Sequence, residues 1–447
     1  MVRNNWYKLD NVGKFYSFTN KNKIPAVFRY SVSLKEVIDE EILQNALNDI
    51  LKYFPNFNCH LKKGIFWYYL ENSNKIVEVK KENEPICSKI YKDEDDVLFR
   101  VSHYKKRINF EVSHILSDGR GSLTFFKSLI YQYLILKEKL TDIELDVDSS
   151  IFEKNEDSFD KYYTKEKIKI PKGRKIYQYK GKKKNTITYM EYHVSTKETL
   201  ELAHKYNASL TALLTSVLIC SYQEMMKELE LNKSIKIDIP VDLRQFFKSS
   251  TLKNFFGLTS VTYKFDSKNY DFADVIHSVN SELQKNVTTE RLKIRMNQMI
   301  SLEKNVFARF VPIFIKDIIL KIADLISSTG CTSCLSNIGA IKVDEKLEKY
   351  IENFNVLNAS GSLKLTICSF KDDLSIGISS KYVNNDIVKN FCRFFKENGI
   401  NGVMNISEEE IWENVINVTL NLMAILKCVH YVILGWQEKK QIMFFQK

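Results

Sequence analysis

One segment of this 447-residue chain combines side chains able to move a proton: His114-Ile-Leu-Ser-Asp118-Gly119, with Gly121 close behind. Imidazole titrates nearest neutrality and is the commonest general base. The seven histidines, at 60, 103, 114, 193, 204, 277 and 430, are therefore the first candidates for that role. Context separates them. His103 and His193 lie in strand-like runs, His204 and His277 in helix-like ones, and His60 in a polar turn region, so each reads as a surface or satisfied core residue. His114 instead ends a hydrophobic strand-like run and is followed by an acid and then glycines. Such a loop lifts a ring out of a sheet into a cleft, and Gly119 and Gly121 allow positive φ or a close backbone approach. On spacing alone, a strand-ending turn with a chance histidine fits equally well.

The elements that must position this loop follow from hydrophobic period. Val97 to Tyr104 and Arg107 to Ser113 flank a lysine turn and predict a hairpin. After the glycines, Leu123, Phe126, Leu129, Ile130, Tyr133 and Leu134 have helical spacing, giving strand, tight loop, helix. Upstream, Ala26 to Leu34 reads as a strand. Asp39 then caps a helix with the stripe Leu43, Ala46, Leu47, Ile50 and Leu51, ended by Pro55, and Ile65 to Leu70 reads as a further strand. Beyond residue 185 the alternation resumes, with strands at Thr186 to Val194, Ile235 to Pro240, Ser333 to Val343, Phe354 to Ser360, Lys364 to Phe370 and Leu374 to Ser380. Helices are expected at Lys197 to Tyr206, Ser209 to Met226, Asp271 to Val287, Glu290 to Leu302 and Asn385 to Asn398. Phe307 to Ile326 reads as a buried amphipathic helix, because charges interrupt it.

This organisation predicts a mixed α/β protein with an N-terminal half over 1–160, a basic crossover over 161–185, a C-terminal half over 186–406 and an apolar tail over 407–447. The crossover carries ten Lys or Arg between 165 and 184 and reads as a solvated linker. In the tail, Asn417, Asn421, Lys427 and His430 interrupt the apolar run, which favours an extra packed or partly disordered segment over a membrane-associated helix. The 44% hydrophobic content supports a large core, and the net charge of +11 is spread among acids rather than gathered in one block. With no zinc-finger spacing, RNP-like segment or basic helix followed by heptads, no nucleic-acid partner is expected. Eight sparse cysteines read as reduced thiols. Cys331-Thr-Ser-Cys334 has metal-ligand spacing but no companion pair, so no metal is expected. Polar sequence after Met1-Val-Arg-Asn-Asn-Trp6 predicts a cytoplasmic location. Walker A, GxGxxG, GxSxG and HExxH patterns are absent from the sequence.

The block Ile108-Asn-Phe-Glu-Val-Ser-His114-Ile-Leu-Ser-Asp118-Gly119 resembles the HxxxDG signature of the chloramphenicol acetyltransferase-like superfamily, which includes peptide-synthetase condensation domains and alcohol acetyltransferases. Asn5-Trp6-Tyr-Lys-Leu-Asp10, Leu51-Lys-Tyr-Phe-Pro55, Gly64-Ile-Phe-Trp67, Ile239-Pro240-Val-Asp242-Leu-Arg244 and Asn254-Phe-Phe-Gly257 are similar to the bacterial alcohol acetyltransferase-like branch. The likeness runs from about Trp6 to about Gly399. It implies two αβ subdomains in a V around a tunnel and a monomer that binds acyl-CoA, expected to be acetyl-CoA, as co-substrate with no bound cofactor. An acyl group would pass to an alcohol or hydroxylated metabolite.

Carried onto this chain, the resemblance makes His114 the general base and Asp118 a structural residue paired with Arg244, with Gly119 shaping the loop. Ser113 stands where condensation domains carry a second histidine, and no DFGWG-type segment is recognisable. In its place Leu335-Ser336-Asn337-Ile338-Gly339 is similar to a Ser-Asn-x-Gly segment of related acyltransferases. Ser336 or Asn337 could donate to a developing oxyanion or line the channel, and a plain turn or bulge is the alternative. Two other functions stay open: a condensation-type transferase with a carrier-protein donor, and a non-catalytic binding protein.

Overall fold

The computed structural model describes residues 6–19, 24–91, 93, 95–143, 154–165, 175–304, 311–328 and 330–407. The chain divides into a unit over Met1–Asn405 and a second over Ile406–Lys447. Of the second, only Ile406 and Ser407 are described, so the expected apolar tail, His430 and the middle of the basic crossover lie outside the described residues.

Alternation of apolar and polar residues builds two main sheets in a mixed α/β fold. The first has five strands in the order Ile351–Asn358, Val27–Leu34, Arg107–Ser113, Phe99–Tyr104 and Lys80–Lys81. Phe28, Tyr30, Val32, Ile108, Phe110, Val112, Phe99 and Val101 turn one face toward a core completed by the Glu40–Tyr53 and Gly119–Glu138 helices. Asp39 caps the former by accepting from the Ile42 amide at 3.0 Å. The edge strand Ile351–Asn358 comes from the second half of the sequence and pairs antiparallel with Val27–Leu34.

The opposite face of this sheet holds buried charge. Arg29, Glu111 and Arg100 stand in register on three adjacent strands. The Arg29 Nε donates to Glu111 at 2.9 Å, Arg100 donates to its other oxygen, and the Cys87 amide donates at 2.5 Å. Glu82 accepts from the remaining face of Arg29 and, at 3.0 Å, from Asn109. Each ion in the row is met by its neighbours, which is what makes so much buried charge tolerable.

Six strands of a seven-stranded second sheet run in the order Phe256–Tyr263, Ile235–Asp242, Ser333–Ala340, Lys364–Phe370, Asp373–Tyr382 and Lys183–Ser195. Ile237, Ile239, Leu335, Leu365, Ile367, Leu374, Ile376 and Ile378 turn one face onto the Leu210–Gln223 helix and its neighbours. Period two then sends Asp238, Cys334, Ser336, Lys364 and Thr366 to the other face. The expected strands and helices recur with end shifts of a few residues, and the strand Tyr68–Asn72 starts later than the apolar run suggests.

The expected helix forms as Ile313–Ser328, and over its described side chains, 313–320, burial does not follow the apolar residues: Phe314, Ile318 and Ile319 are 61%, 59% and 54% exposed. Ile313 and Lys316 are buried there, and the Lys316 ammonium lies 3.6 Å from the Trp67 ring centre and donates to the Phe66 carbonyl at 3.0 Å. A cation–π contact plus a backbone acceptor makes a lysine the better inward residue here. Among the described residues no helix is long and apolar enough to cross a membrane.

Candidate active site

His114 follows the last residue of Arg107–Ser113, in the turn before the Gly119–Glu138 helix. Its amide donates to the Ala26 carbonyl at 2.8 Å and its carbonyl accepts from Asn254 Nδ2 at 2.9 Å, so both sides of the backbone are fixed. Aromatic rings hold the imidazole. Tyr16 stacks on it at 5.1 Å between centroids, Phe28 is tilted at 4.5 Å, and Phe256 lies at 6.3 Å. Nδ1 is buried and has no hydrogen-bond partner among the described residues, although the Ser117 backbone and the Asn254 side chain favour the charged ring. Burial, and after it the Lys364 ammonium, push the imidazole down to about 4, with Asp118 opposing. The ring is neutral throughout the neutral pH range.

The loop is set by Asp118, which caps the following helix by accepting from the Gly121 amide at 2.8 Å. The same carboxylate accepts from the Phe255 amide at 2.7 Å and from both Nη atoms of Arg244, at 2.9 and 3.3 Å. Arg244 spends its other donors on Asp242 and on the carbonyls of Thr251, Lys253 and Phe255. Both side chains are thus fully engaged, a bidentate pair that joins the loop to the 251–255 segment. Ser117 Oγ adds a bond to the Leu252 carbonyl at 2.5 Å. Gly121 is needed for close approach and not for a positive φ: a Cβ there would stand 2.2 Å from the Leu252 carbonyl oxygen. Gly119 lies against Ile338 and Tyr30, and its carbonyl accepts from the Tyr30 hydroxyl at 2.7 Å.

Behind the loop, Asp10 accepts from the Gly13 amide at 2.7 Å and from both the amide and side chain of Asn254. Burial pushes the Asp10 carboxyl up to about 6. Asn254 therefore bridges the buried acid to the carbonyl of His114. The other described histidines are paired with carboxylates or exposed, although His60 Nδ1 is buried with no hydrogen-bond partner among the described residues. His60, His103 and His193 meet Glu71, Glu40 and Asp373 at 3.0, 2.9 and 3.0 Å, and His204 and His277 are exposed on helices.

Ser336 and Asn337 part company. Leu335 and Asn337 share a face, and Asn337 donates to Thr211 Oγ1 at 3.0 Å while accepting from the Gly339 amide at 2.9 Å. The register shifts between Asn337 and Gly339, where Gly339 has φ +85°, so the segment is a bulge. Ser336 is on the opposite, polar face. Sequence reasoning missed Tyr16, Phe28, Phe256, Asn254 and Lys364. Asn254 and Asp10 fell within blocks quoted for their likeness, but nothing local marks a contact across so long a stretch of chain.

These two sheets, with the His114 loop between strand and helix, form a fold shared with solved condensation domains and O-acetyltransferases. The solved structures it resembles include TRI101 of Fusarium sporotrichioides complexed with coenzyme A and T-2, at 11% identity and TM-score 0.61, with 89% of this chain and 99% of that one covered. The TRI3 trichothecene 15-O-acetyltransferase of Fusarium sporotrichioides matches at 8% identity and TM-score 0.58, covering 88% and 94%. A variant starter condensation domain of rhizomide synthetase RzmA, in complex with C8-CoA and Leu-SNAC, matches at 10% identity and TM-score 0.57, covering 88% and 94%. In sequence, no family model and no curated protein matches.

Proposed function

We propose that the protein transfers an acyl group, acetyl in the simplest case, from acyl-CoA to the hydroxyl of a small molecule, with His114 as general base. The observation that carries this is the neutral, aromatic-clamped imidazole of His114, whose carbonyl, amide and flanking carboxylate are all fixed. Nδ1 is the buried nitrogen, which leaves Nε2 as the one a reactant reaches. Nε2 takes the hydroxyl proton as the oxygen attacks the thioester carbonyl. The tetrahedral intermediate then expels the thiolate, the C–S bond breaks, and the imidazolium returns its proton to sulfur, giving ester and free thiol. Asp118 holds the loop through Arg244 and moves no proton, because all its bonds face scaffold donors. Ser336, on the polar face of its strand, is the better oxyanion donor of the two candidates, since Asn337 is engaged with Thr211 and Gly339.

The Ser113 position and coenzyme A complexes among the similar structures support free acyl-CoA as donor. The assay is thiol release from acetyl-CoA in the presence of alcohols. His114→Ala is expected to lose about a hundredfold to ten-thousandfold in rate with an unchanged thermal melt. A variant that keeps the wild-type rate would remove His114 from the chemistry.

A further inference from the structure

We infer that Lys364 is a specificity-determining residue that pairs with a carboxylate carried by one of the two reactants, either the acceptor alcohol or the acyl group. The inference rests on the acyl-transfer reading above and narrows its substrates. The geometry is that of a lateral row. Ser260, Asp238, Cys334, Lys364 and Ser379 stand in register across five adjacent strands, on the face turned away from the second core. Within that row the one carboxylate, Asp238, is already held by Lys236 at 3.5 Å. The nearby thiols, Cys334 beside it in the row and Cys331 before that strand, are no counter-ions, because burial pushes Cys331 up to about 12 and Cys334 in the same direction. Among the described residues no carboxylate lies within ion-pair distance of the Lys364 ammonium. Asp238 favours the Lys364 charge only from beyond ion-pair distance, and a half-buried cation with no carboxylate in contact fits a site completed by an anion.

The place of the cation limits the anion. Lys364 stands on the polar sheet face that carries Ser336, one residue pair along the ladder from it, and its charge acts on the His114 ring and on Tyr16 stacked upon it, which associates it with the reacting centre. With the thioester carbonyl at His114, the pantetheine arm keeps the phosphates of coenzyme A too far away to serve. The carboxylate must then sit a few bonds from the reacting carbonyl or hydroxyl. Pairing has a second effect: it offsets the Lys364 charge that depresses the imidazole, so His114 becomes a stronger base when the right reactant is bound.

The test measures kcat/KM by thiol release with the full chain, crossing acetyl-CoA and malonyl-CoA with methyl 3-hydroxybutyrate and 3-hydroxybutyrate. A charge-assisted pair should favour at least one carboxylate-bearing reactant over its neutral counterpart by about tenfold or more, and the arm that responds names the source. The ratio should fall toward one in Lys364→Met and be kept in Lys364→Arg. Lys364 and Asp118 are the charged groups acting on the ring, so Lys364→Met should also move the acid limb of the kcat/KM profile to higher pH, which a merely structural role would not do. If wild-type protein turns over the neutral pair but shows no preference in either arm, acyl transfer stands and the inference falls, whether or not any variant folds. A preference unchanged in Lys364→Met also overturns it. Absence of thiol release from every pair removes the parent reading as well.

Discussion

Two rows of charge cross the two sheets, and they are built to opposite ends. In the first sheet Arg29, Glu111 and Arg100 alternate in sign, stand in register, and leave no oxygen of Glu111 without a donor. In the second, Asp238 is paired with Lys236, while Lys364 stands beside Cys334 with no carboxylate at ion-pair distance among the described residues. A complete row stabilises its sheet and has nothing left for a ligand. An incomplete one is a cost to the empty fold, and its open valence points to chemistry.

That contrast can be broken from the scaffold side first. Glu111→Ala leaves buried Arg29 with Glu82 as its one carboxylate and half-buried Arg100 with none among the described residues, and is expected to lower unfolding stability by about 3 kcal/mol, read as a reduced urea midpoint. A loss under about 1 kcal/mol would mean that the row is screened and not a stabilising element. Asp118→Asn is next. It keeps a helix cap but weakens the Arg244 pair, so stability should fall by about 2 kcal/mol and thiol release should fall with it in the same sample. A slower rate with an unchanged melt would instead give Asp118 a direct part in proton transfer.

The smallest effect sharpens the other row. His114 is depressed to about 4 from 6.5, so below pH 6.5 the unfolded chain binds a proton that the native chain refuses. Its contribution is fully present above 6.5 and is lost as pH falls toward 4. Asp10, raised to about 6, titrates in the opposite sense and gains stability over the same fall. Subtracting a His114→Gln series from wild type cancels Asp10. The wild type should lose ground by on the order of 1 kcal/mol between pH 7 and 4.5, a modest figure because the ring is half-buried. A flat difference would show that the ring is not desolvated.

Local pattern carried much of this architecture. The strand, loop and helix around His114 were legible because apolar alternation stops at Ser113 and helical spacing starts after Gly121, and the Glu40–Tyr53 helix because Asp39 and Pro55 bracket its stripe. What escaped depends on partners distant in sequence. Tyr16 lies on a short helix, Asn11–Thr19, with no clean apolar stripe, and nothing near it names His114 as its neighbour. Lys364 opens a strand as an ordinary lysine would, and only its sheet partners fix which face it takes. Asn337 was legible in hindsight: two residues from buried Leu335, alternation alone puts it toward the Leu210–Gln223 helix. The described side chains of the Ile313–Ser328 helix, 313–320, were harder to place, because composition does not say which side of an amphipathic segment finds a partner.

The edge strand Ile351–Asn358 sets a timetable for biosynthesis. As the chain leaves the ribosome, Val27–Leu34 and Arg107–Ser113 can pair early, but the outer side of Val27–Leu34 keeps a row of bare amides and carbonyls until residue 358 has been made. Through more than half of translation the His114 loop therefore hangs from an unfinished sheet, with the Arg244 that anchors it also still to come. Neither sheet nor site can mature before the second half arrives, which makes the halves one obligate folding unit despite their separate cores.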